Sequence, residues 1–396
     1  VPVSPPPAAL PTKAVADKAR VWKSAVVAIF LACLLAPSLD LAFGVDHNPS
    51  PARDVVSFPR PRLDRSLLKW PGNLLWYLKS NMGFRGALVR AHGRFVWSVL
   101  GGSPAPESVL RADPWLFLKS ERVPDDFRRV DPFSDADLGR WSEVLEGRRR
   151  WLAARGIRYL IVIAPNKETV YAGAVPPWVT RAPGPSRLAQ LVARVRATTA
   201  VEIADLTAPL VAEKATARVY HLTDTHWNDL GAFVGYRSVI EHLEPWFKEL
   251  RPLDRSDMVD EEEVTRGGDM ARVCGLQLDL REPQMRLALR PGVSEGARFA
   301  DGSPLTFDRI DVRGRQRFVT RAPRGEIASA VILRDSFGEA LIPYLSRHFQ
   351  TATWIWTYDF PASEIETDRP ALVIEQLVER KLMVLAPQNP AEVANP

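Results

Sequence analysis

The stretch Val331-Ile332-Leu333-Arg334-Asp335-Ser336-Phe337-Gly338 decides how the chain is read. Its first three residues are an apolar run of the kind that fills a strand buried on both faces. Arg334, Asp335 and Ser336 interrupt that run, and Ala340, Leu341, Tyr344 and Leu345 then recur at helical spacing. Hydrolases of several folds place a nucleophilic serine where a strand turns into a helix. The hydroxyl projects from the sheet there, and nearby backbone N–H groups can receive an oxyanion. A serine that merely caps a helix after a strand has the same local pattern. A base elsewhere in the chain separates the two readings.

Upstream, Ile157–Pro165 is a continuous apolar strand, and a helix over 185–198 leads to a strand Ala200–Leu206. A short helix near Leu210–Lys214 precedes a strand Val219–Leu222, followed by a helix carrying Phe233, Tyr236, Ile240, Leu243 and Trp246. This alternation predicts an α/β fold, a mainly parallel sheet with helices on both faces. Ligands of such sheets bind beyond the carboxyl ends of the strands, where Lys167, Asp224 and Ser336 all fall.

Helical periodicity also marks about 67–100 and a second segment from Ser134 to about Arg155, which Gly156 ends. Asp113–Leu118 (DPWLFL) reads as a short strand. Residues 251–325 break the rhythm with the acidic run Asp260–Glu263 and alternating stretches, and read as a β-containing insertion. After Ser336 the pattern predicts a helix to about Phe349, a strand Thr351–Trp356 and a last helix from Ala371 to about Leu382.

The 396 residues carry a formal net charge of +5, with arginines spread along the chain and not clustered, so nucleic acid is not an implied partner. Cys33 and Cys274 are the two cysteines, and no C-x-x-C or Cys/His cluster accompanies them, so neither a disulfide framework nor a zinc site is read. No other metal or cofactor is expected. The expected organisation is a disordered basic tail (1–23), a signal-anchor (24–43), a tether and helical lead-in (44–110), an α/β domain (111–386, with 251–325 inserted) and a tail (387–396). The segment from Ser24 is uncharged as far as Asp40, and with Leu41–Phe43 it reaches the roughly 20 residues a spanning helix needs. A cleaved signal peptide is the other reading, but no A-x-A site follows the apolar core. Both leave the basic flank in the cytoplasm and the rest of the chain outside.

Among six histidines, His226 follows a predicted strand and stands two residues from an acid, in Asp224-Thr225-His226. In extended backbone i and i+2 share a side. Asp224 can then hold one ring nitrogen and leave the other as a base for Ser336. Helix capping by Asp224 or Thr225, or a D-x-H metal half-site, are the competing explanations.

Two blocks, YHLTDTHWNDLGAFVGYRSVI (220–240) and VILRDSFGEALIPYLSRHF (331–349), resemble the DTHW and RDSF blocks of the AlgX/AlgJ-type alginate O-acetyltransferases, a family of SGNH hydrolase-like proteins. APNKETVYAGAVP, GGDMARVCGL and ALVIEQLVERKL match further stretches. The resemblance implies a triad of Asp224, His226 and Ser336, and an enzyme passing acetyl through the serine to a polysaccharide hydroxyl. It further implies a chain tethered to the bacterial inner membrane, facing the periplasm, with a membrane-bound O-acyltransferase as acetyl supplier. An esterase with the same triad, or a non-catalytic glycan-binding or assembly protein, are the alternatives. Pro114 stands where the family has glycine. Lys167 is either a substrate charge partner or structural. The second oxyanion donor is open among Asn166, Asn228 and other backbone amides. Arg334 and Tyr358 complete the candidate substrate or oxyanion group.

Overall fold

A computed structural model describes residues 13–44, 72, 74–75, 77, 82–293, 296–305 and 316–386. The proline-rich start, most of the expected tether and the tail from 387 lie outside them. The chain divides into two compact units, Val1–Pro104 and Ala105–Pro396.

In the first unit a helix runs from Lys13 to Phe43 with Pro37 inside it. Its stretch Arg20–Asp40 is long and apolar enough to cross a membrane. Val26, Val27, Ile29, Phe30 and Leu34 are exposed along it. A second helix, Arg85–Ser98, starts from Phe84, whose N–H donates to Asp40 Oδ2 at 3.1 Å.

The second unit is built on a mixed seven-stranded sheet. Its strands are β3 (Arg158–Ala164), β4 (Glu202–Asp205), β7 (Arg298–Phe299), β8 (Arg317–Arg321), β9 (Ile327–Arg334), β10 (Phe349–Trp356) and β11 (Leu372–Val378), in the order β4-β3-β11-β9-β10-β8-β7. The five strands from β4 to β10 pair in parallel, whereas β8 and β7 add an antiparallel edge. Alternate residues feed two cores, as the two-residue strand period requires. Leu160, Val162, Ile332, Trp354 and Ile374 pack with the helix Asp229–Leu243, through Phe233, Tyr236 and Ile240. Ile161, Ile163, Val331, Leu333 and Val373 pack on the opposite side with helices Asp135–Ala153 and Arg187–Thr198. The first of these helices opens with a capping box on Ser134, the predicted N-cap.

Two small antiparallel pairs complete the unit. β1 (Val109–Ala112) pairs with β2 (Trp115–Leu118), and β5 (Met258–Arg266) pairs with β6 (Arg281–Leu289) from Met258↔Leu289 to Arg266↔Arg281. The segment 251–325 thus supplies the β5–β6 hairpin and also the outer strands of the main sheet.

Three sequence expectations are corrected. The predicted last helix is β11, the strand between β3 and β9, buried at every residue. Glu375 and Gln376 stand in its middle, and both are buried. Arg148 donates to Glu375 Oε1 and Oε2 at 2.6 and 2.8 Å, and Gln376 Oε1 accepts from the Asp335 N–H at 3.2 Å. Val219–Leu222 forms no strand and contributes one bridge, Tyr220↔Trp227. After Ser336 the chain makes a 3-10 turn, Phe337–Leu341, before a short helix, Ile342–Ser346.

β3 and β4 run outward to one side, β9 and β10 to the other, and β11 closes the middle last. The crevice at such a switch point is where open α/β sheets bind ligands. The carboxyl ends of β3, β9 and β11 lead into Asn166, Ser336 and Arg380.

Candidate active site

The turn after β9 is pinned by Asp335. Its buried carboxylate accepts from the Phe337 N–H at 2.8 Å and the Val378 N–H at 2.7 Å, tying the turn to β11. Gly338 is needed because a Cβ there would lie 2.7 Å from both Arg334 Cβ and Gln376 Oε1. Ser336 is half-buried between these fixed residues. Among the described residues neither its hydroxyl nor its N–H carries a hydrogen bond.

The Asp224–His226 pair forms as the i, i+2 spacing predicts. Asp224 Oδ1 lies 2.6 Å from His226 Nδ1 and also accepts the His226 N–H at 3.0 Å. The bond engages Nδ1 and leaves Nε2 as the basic nitrogen. Nε2 is buried and has no hydrogen-bond partner among the described residues, Ser336 included. The imidazole centroid stands 4.9 Å from the ring of Phe337, the residue directly after Ser336. The base thus lies against the residue next to Ser336, and no hydrogen bond joins it to the serine. Such bonds often tighten only once substrate is bound.

Burial opposes charge on both members, but their mutual attraction wins. It holds the Asp224 carboxyl well below the usual carboxylate range and, with help from Asp269, raises His226 above an ordinary histidine.

The loop carrying the pair is clamped by four residues. Lys167 Nζ donates to the carbonyls of His221, Leu222 and Asp224 at 3.2, 3.3 and 2.7 Å. Glu282 on β6 accepts the N–H groups of Leu222 and Thr223 at 2.6 and 3.0 Å, and the Thr223 hydroxyl at 2.7 Å. Asp269 accepts the N–H and hydroxyl of Thr225 at 2.8 and 2.6 Å, while its own N–H donates to Asp224 Oδ2 at 2.8 Å. Leu116 on β2 donates its N–H to the Leu222 carbonyl at 2.9 Å. Asp269 and Glu282 were not anticipated from the sequence. The Gly267-Gly268 pair was the available signal, since a Cβ on Gly268 would lie 2.4 Å from Asp224 Cβ.

Asp224, His226 and Asp269 place three donor atoms within 4.8 Å of one another, the composition of a possible cation site. Ligands of a tetrahedral ion at ~2 Å stand ~3.3 Å apart. The 2.6 Å between Asp224 Oδ1 and His226 Nδ1 is instead the length of a charge-assisted hydrogen bond. The arrangement is that of an oriented base.

Several candidate residues have other roles. Lys167 is buried, and burial lowers its pKa to about 8. Its ammonium is engaged by the loop carbonyls, so it holds the loop and does not face substrate. Asn228 caps the helix Asp229–Leu243, accepting from the Gly231 N–H at 3.0 Å and donating to the Arg218 carbonyl at 2.6 Å. Asn166 is buried, donating its amide to Asp126 Oδ2 at 3.1 Å and its N–H to Glu379 Oε2 at 2.8 Å. Arg334 is fully buried; its Nη1 donates to the Asp335 carbonyl at 3.1 Å and its guanidinium lies 4.9 Å from the Trp356 ring. All four are buried. Tyr358 stays half-buried beside the Lys381 ammonium, 4.9 Å from its ring. Trp354 is a core residue. An apolar cavity of about 350 Å³ lies instead among Phe117, Val123, Phe127, Glu168 and Trp178, away from Ser336.

Against known proteins, residues 109–293 match the family described as "SGNH hydrolase-like domain, acetyltransferase AlgX". This stretch contains Asp224, His226, Asp269 and Glu282 and ends before Ser336. Over this stretch the chain is similar to the AlgX/AlgJ family. The chain is 27% identical over 187 residues to the "Probable alginate O-acetylase AlgJ" of Azotobacter vinelandii, covering 46% of this chain and 45% of that protein. It therefore spans about half the length of that relative. The solved structure of Bacillus cereus PatB1 shares the fold at a TM-score of 0.51 and 13% identity, over 69% of this chain and 96% of PatB1. The O-acetyltransferase domain of Pseudomonas putida AlgJ aligns at a TM-score of 0.45 and 19% identity, over 72% of this chain and 97% of that domain.

Proposed function

We propose that this chain is a polysaccharide O-acetyltransferase that works through an acetyl-enzyme on Ser336. The observation carrying the reading is the Asp224–His226 pair, with a free Nε2 and with its ring against Phe337, one residue from the serine. In the first half-reaction Ser336 Oγ bonds to the acetyl carbon, its proton passes to Nε2, and the donor leaves with that proton. In the second, a sugar hydroxyl loses its proton to Nε2 and takes the acetyl group, and Ser336 regains a proton.

The Arg20–Asp40 helix would tether the chain to the inner membrane with the catalytic unit on the periplasmic side. Acetyl would then come from a membrane-bound O-acyltransferase partner.

Incubation with an activated acetyl ester tests the chemistry. Mass spectrometry should find one acetyl group, on the peptide containing Ser336, and none on that peptide in Ser336→Ala. Equal ester turnover by both proteins would sink the reading. Oligosaccharide acceptors then distinguish a transferase, which yields acetylated sugar, from an esterase, which yields acetate only.

A further inference from the structure

Beside the Ser336 N–H, which carries no hydrogen bond among the described residues, the reacting centre needs a second donor for the oxyanion, and most of the expected groups are engaged elsewhere. Phe337 N–H is bound to Asp335 Oδ1, the side-chain amides of Asn166 and Asn228 hold the scaffold, and Lys167 holds the loop. A different cation occupies the same edge of the sheet. Arg380 follows β11, the strand beside the one that delivers Ser336. Its guanidinium carbon lies 5.3 Å from the centroid of the Phe337 ring, which also contacts His226 at 4.9 Å. Nε is held by Glu121 Oε2 at 3.1 Å, and the neighbouring Lys381 ammonium holds the same oxygen at 2.8 Å. Among the described residues no other hydrogen bond reaches the guanidinium, and neither Nη is a buried atom lacking a partner. Arg380 is 7% exposed, and both Nη nitrogens remain for a ligand.

We infer that Arg380 is the charged donor of the site, its Nη groups binding the oxygen that becomes negative when Ser336 attacks an acyl ester. As the Oγ–C bond forms, the carbonyl π pair moves onto that oxygen and the serine proton moves to His226 Nε2. As the intermediate collapses, the pair returns, the ester C–O bond breaks, and the leaving alcohol takes the proton. A planar guanidinium clamped through Nε presents its remaining N–H groups in a fixed orientation, which is what oxyanion stabilisation requires. The charge of Arg380 also works against protonation of His226, keeping the base more available.

This inference rests on the acetyl-enzyme reading, and the experiment separates the two. Single-turnover acetylation by an activated acetyl ester is followed across pH for wild type, Ser336→Ala, Arg380→Gln and Arg380→Lys, with melting curves for each. Arg380→Gln should acetylate about 10²- to 10³-fold more slowly with little change in ester binding. Its acid limb should move to higher pH, because the charge opposing His226 protonation is gone. Arg380→Lys should keep the acid limb and recover part of the rate. A folded Arg380→Gln within about twofold of wild type, beside an inert Ser336→Ala, would overturn the assignment and leave the serine in place. Should Arg380→Gln prove unstable, Arg380→Lys decides alone. A loss of about tenfold or more supports the assignment, since one ammonium cannot hold Glu121 and the oxyanion together, and a wild-type rate overturns it. Wild-type acetylation of Ser336→Ala would remove the premise and the assignment with it.

Discussion

At the scale of the residue, the proposed acetyl transfer depends on the charge state of the Asp224–His226 pair. Attraction within the pair contributes stability over a bounded window. Asp224 contributes above its unfolded value, about 4, and loses that share as pH falls through its depressed folded value. His226 contributes below its unfolded value, about 6.5, and loses that share as pH rises through its raised folded value. Only neutral His226 can accept the serine proton, so the raised value moves the acid limb of the proposed acetylation to higher pH than an ordinary histidine would give. Asp224→Asn removes the attraction and leaves burial to act, so the acid limb should move to lower pH. Meanwhile the plateau should fall about 10²- to 10⁴-fold, as His226 loses its orientation and tautomer. A pH–rate profile of the acetylation step checks this, and an acid limb that stays in place would contradict the pairing. The shift is opposite to the one expected for Arg380→Gln.

At the scale of the element, the catalytic loop has no regular structure of its own and borrows rigidity from its neighbours. The segment Gly267–Asp269, leading into the helix Asp269–Val273, carries much of this burden. Its Gly268 N–H donates to the Thr223 hydroxyl at 2.9 Å, and its Asp269 N–H reaches Asp224 Oδ2. Gly268→Ala must push Asp224 aside, because the new Cβ would lie 2.6 Å from Oδ2. Overpacking of this kind costs about 1–3 kcal/mol. A displacement near 1 Å at the acid can cost about 10²-fold in rate. The variant should keep its far-UV circular dichroism, melt a few degrees lower and acetylate far more slowly. Unchanged single-turnover kinetics would show that the glycine does not position the acid.

The same scale shows which elements were legible. β3, β10 and the helices Asp135–Ala153 and Arg187–Thr198 read correctly because burial and period agree along each of them. β11 did not, because Glu375 and Gln376 sit in its middle and a central strand rarely carries charge. Arg148, 227 residues away, neutralises Glu375, and no local pattern announces that partner.

At the scale of the whole molecule, the unit Ala105–Pro396 contains the sheet, both cores and every residue assigned to the site, apart from the helix suited to a membrane. A fragment beginning at Ala105 should therefore be soluble, melt cooperatively and acquire acetyl on Ser336 at close to the full-chain rate. The full chain should sediment with membranes and be released by detergent but not by salt. Aggregation of the fragment, or salt release of the full chain, would contradict this division. Sedimentation assays and intact-protein mass spectrometry give both answers.

The sequence by itself determined what depends on neighbours along the chain. It marked the strand-turn serine, the Asp224–His226 pair two residues apart and the apolar N-terminal helix, because backbone geometry fixes each over a few residues. The tertiary structure alone decided the rest. It made a presumed helix an inner strand of the sheet and engaged Lys167, Asn166 and Asn228 with the scaffold. It also brought Asp269, Glu282 and Arg380 to the site from distant parts of the chain. The reason is burial: a polar side chain taken out of water must find partners wherever the fold supplies them, and those partners carry no fixed spacing in sequence.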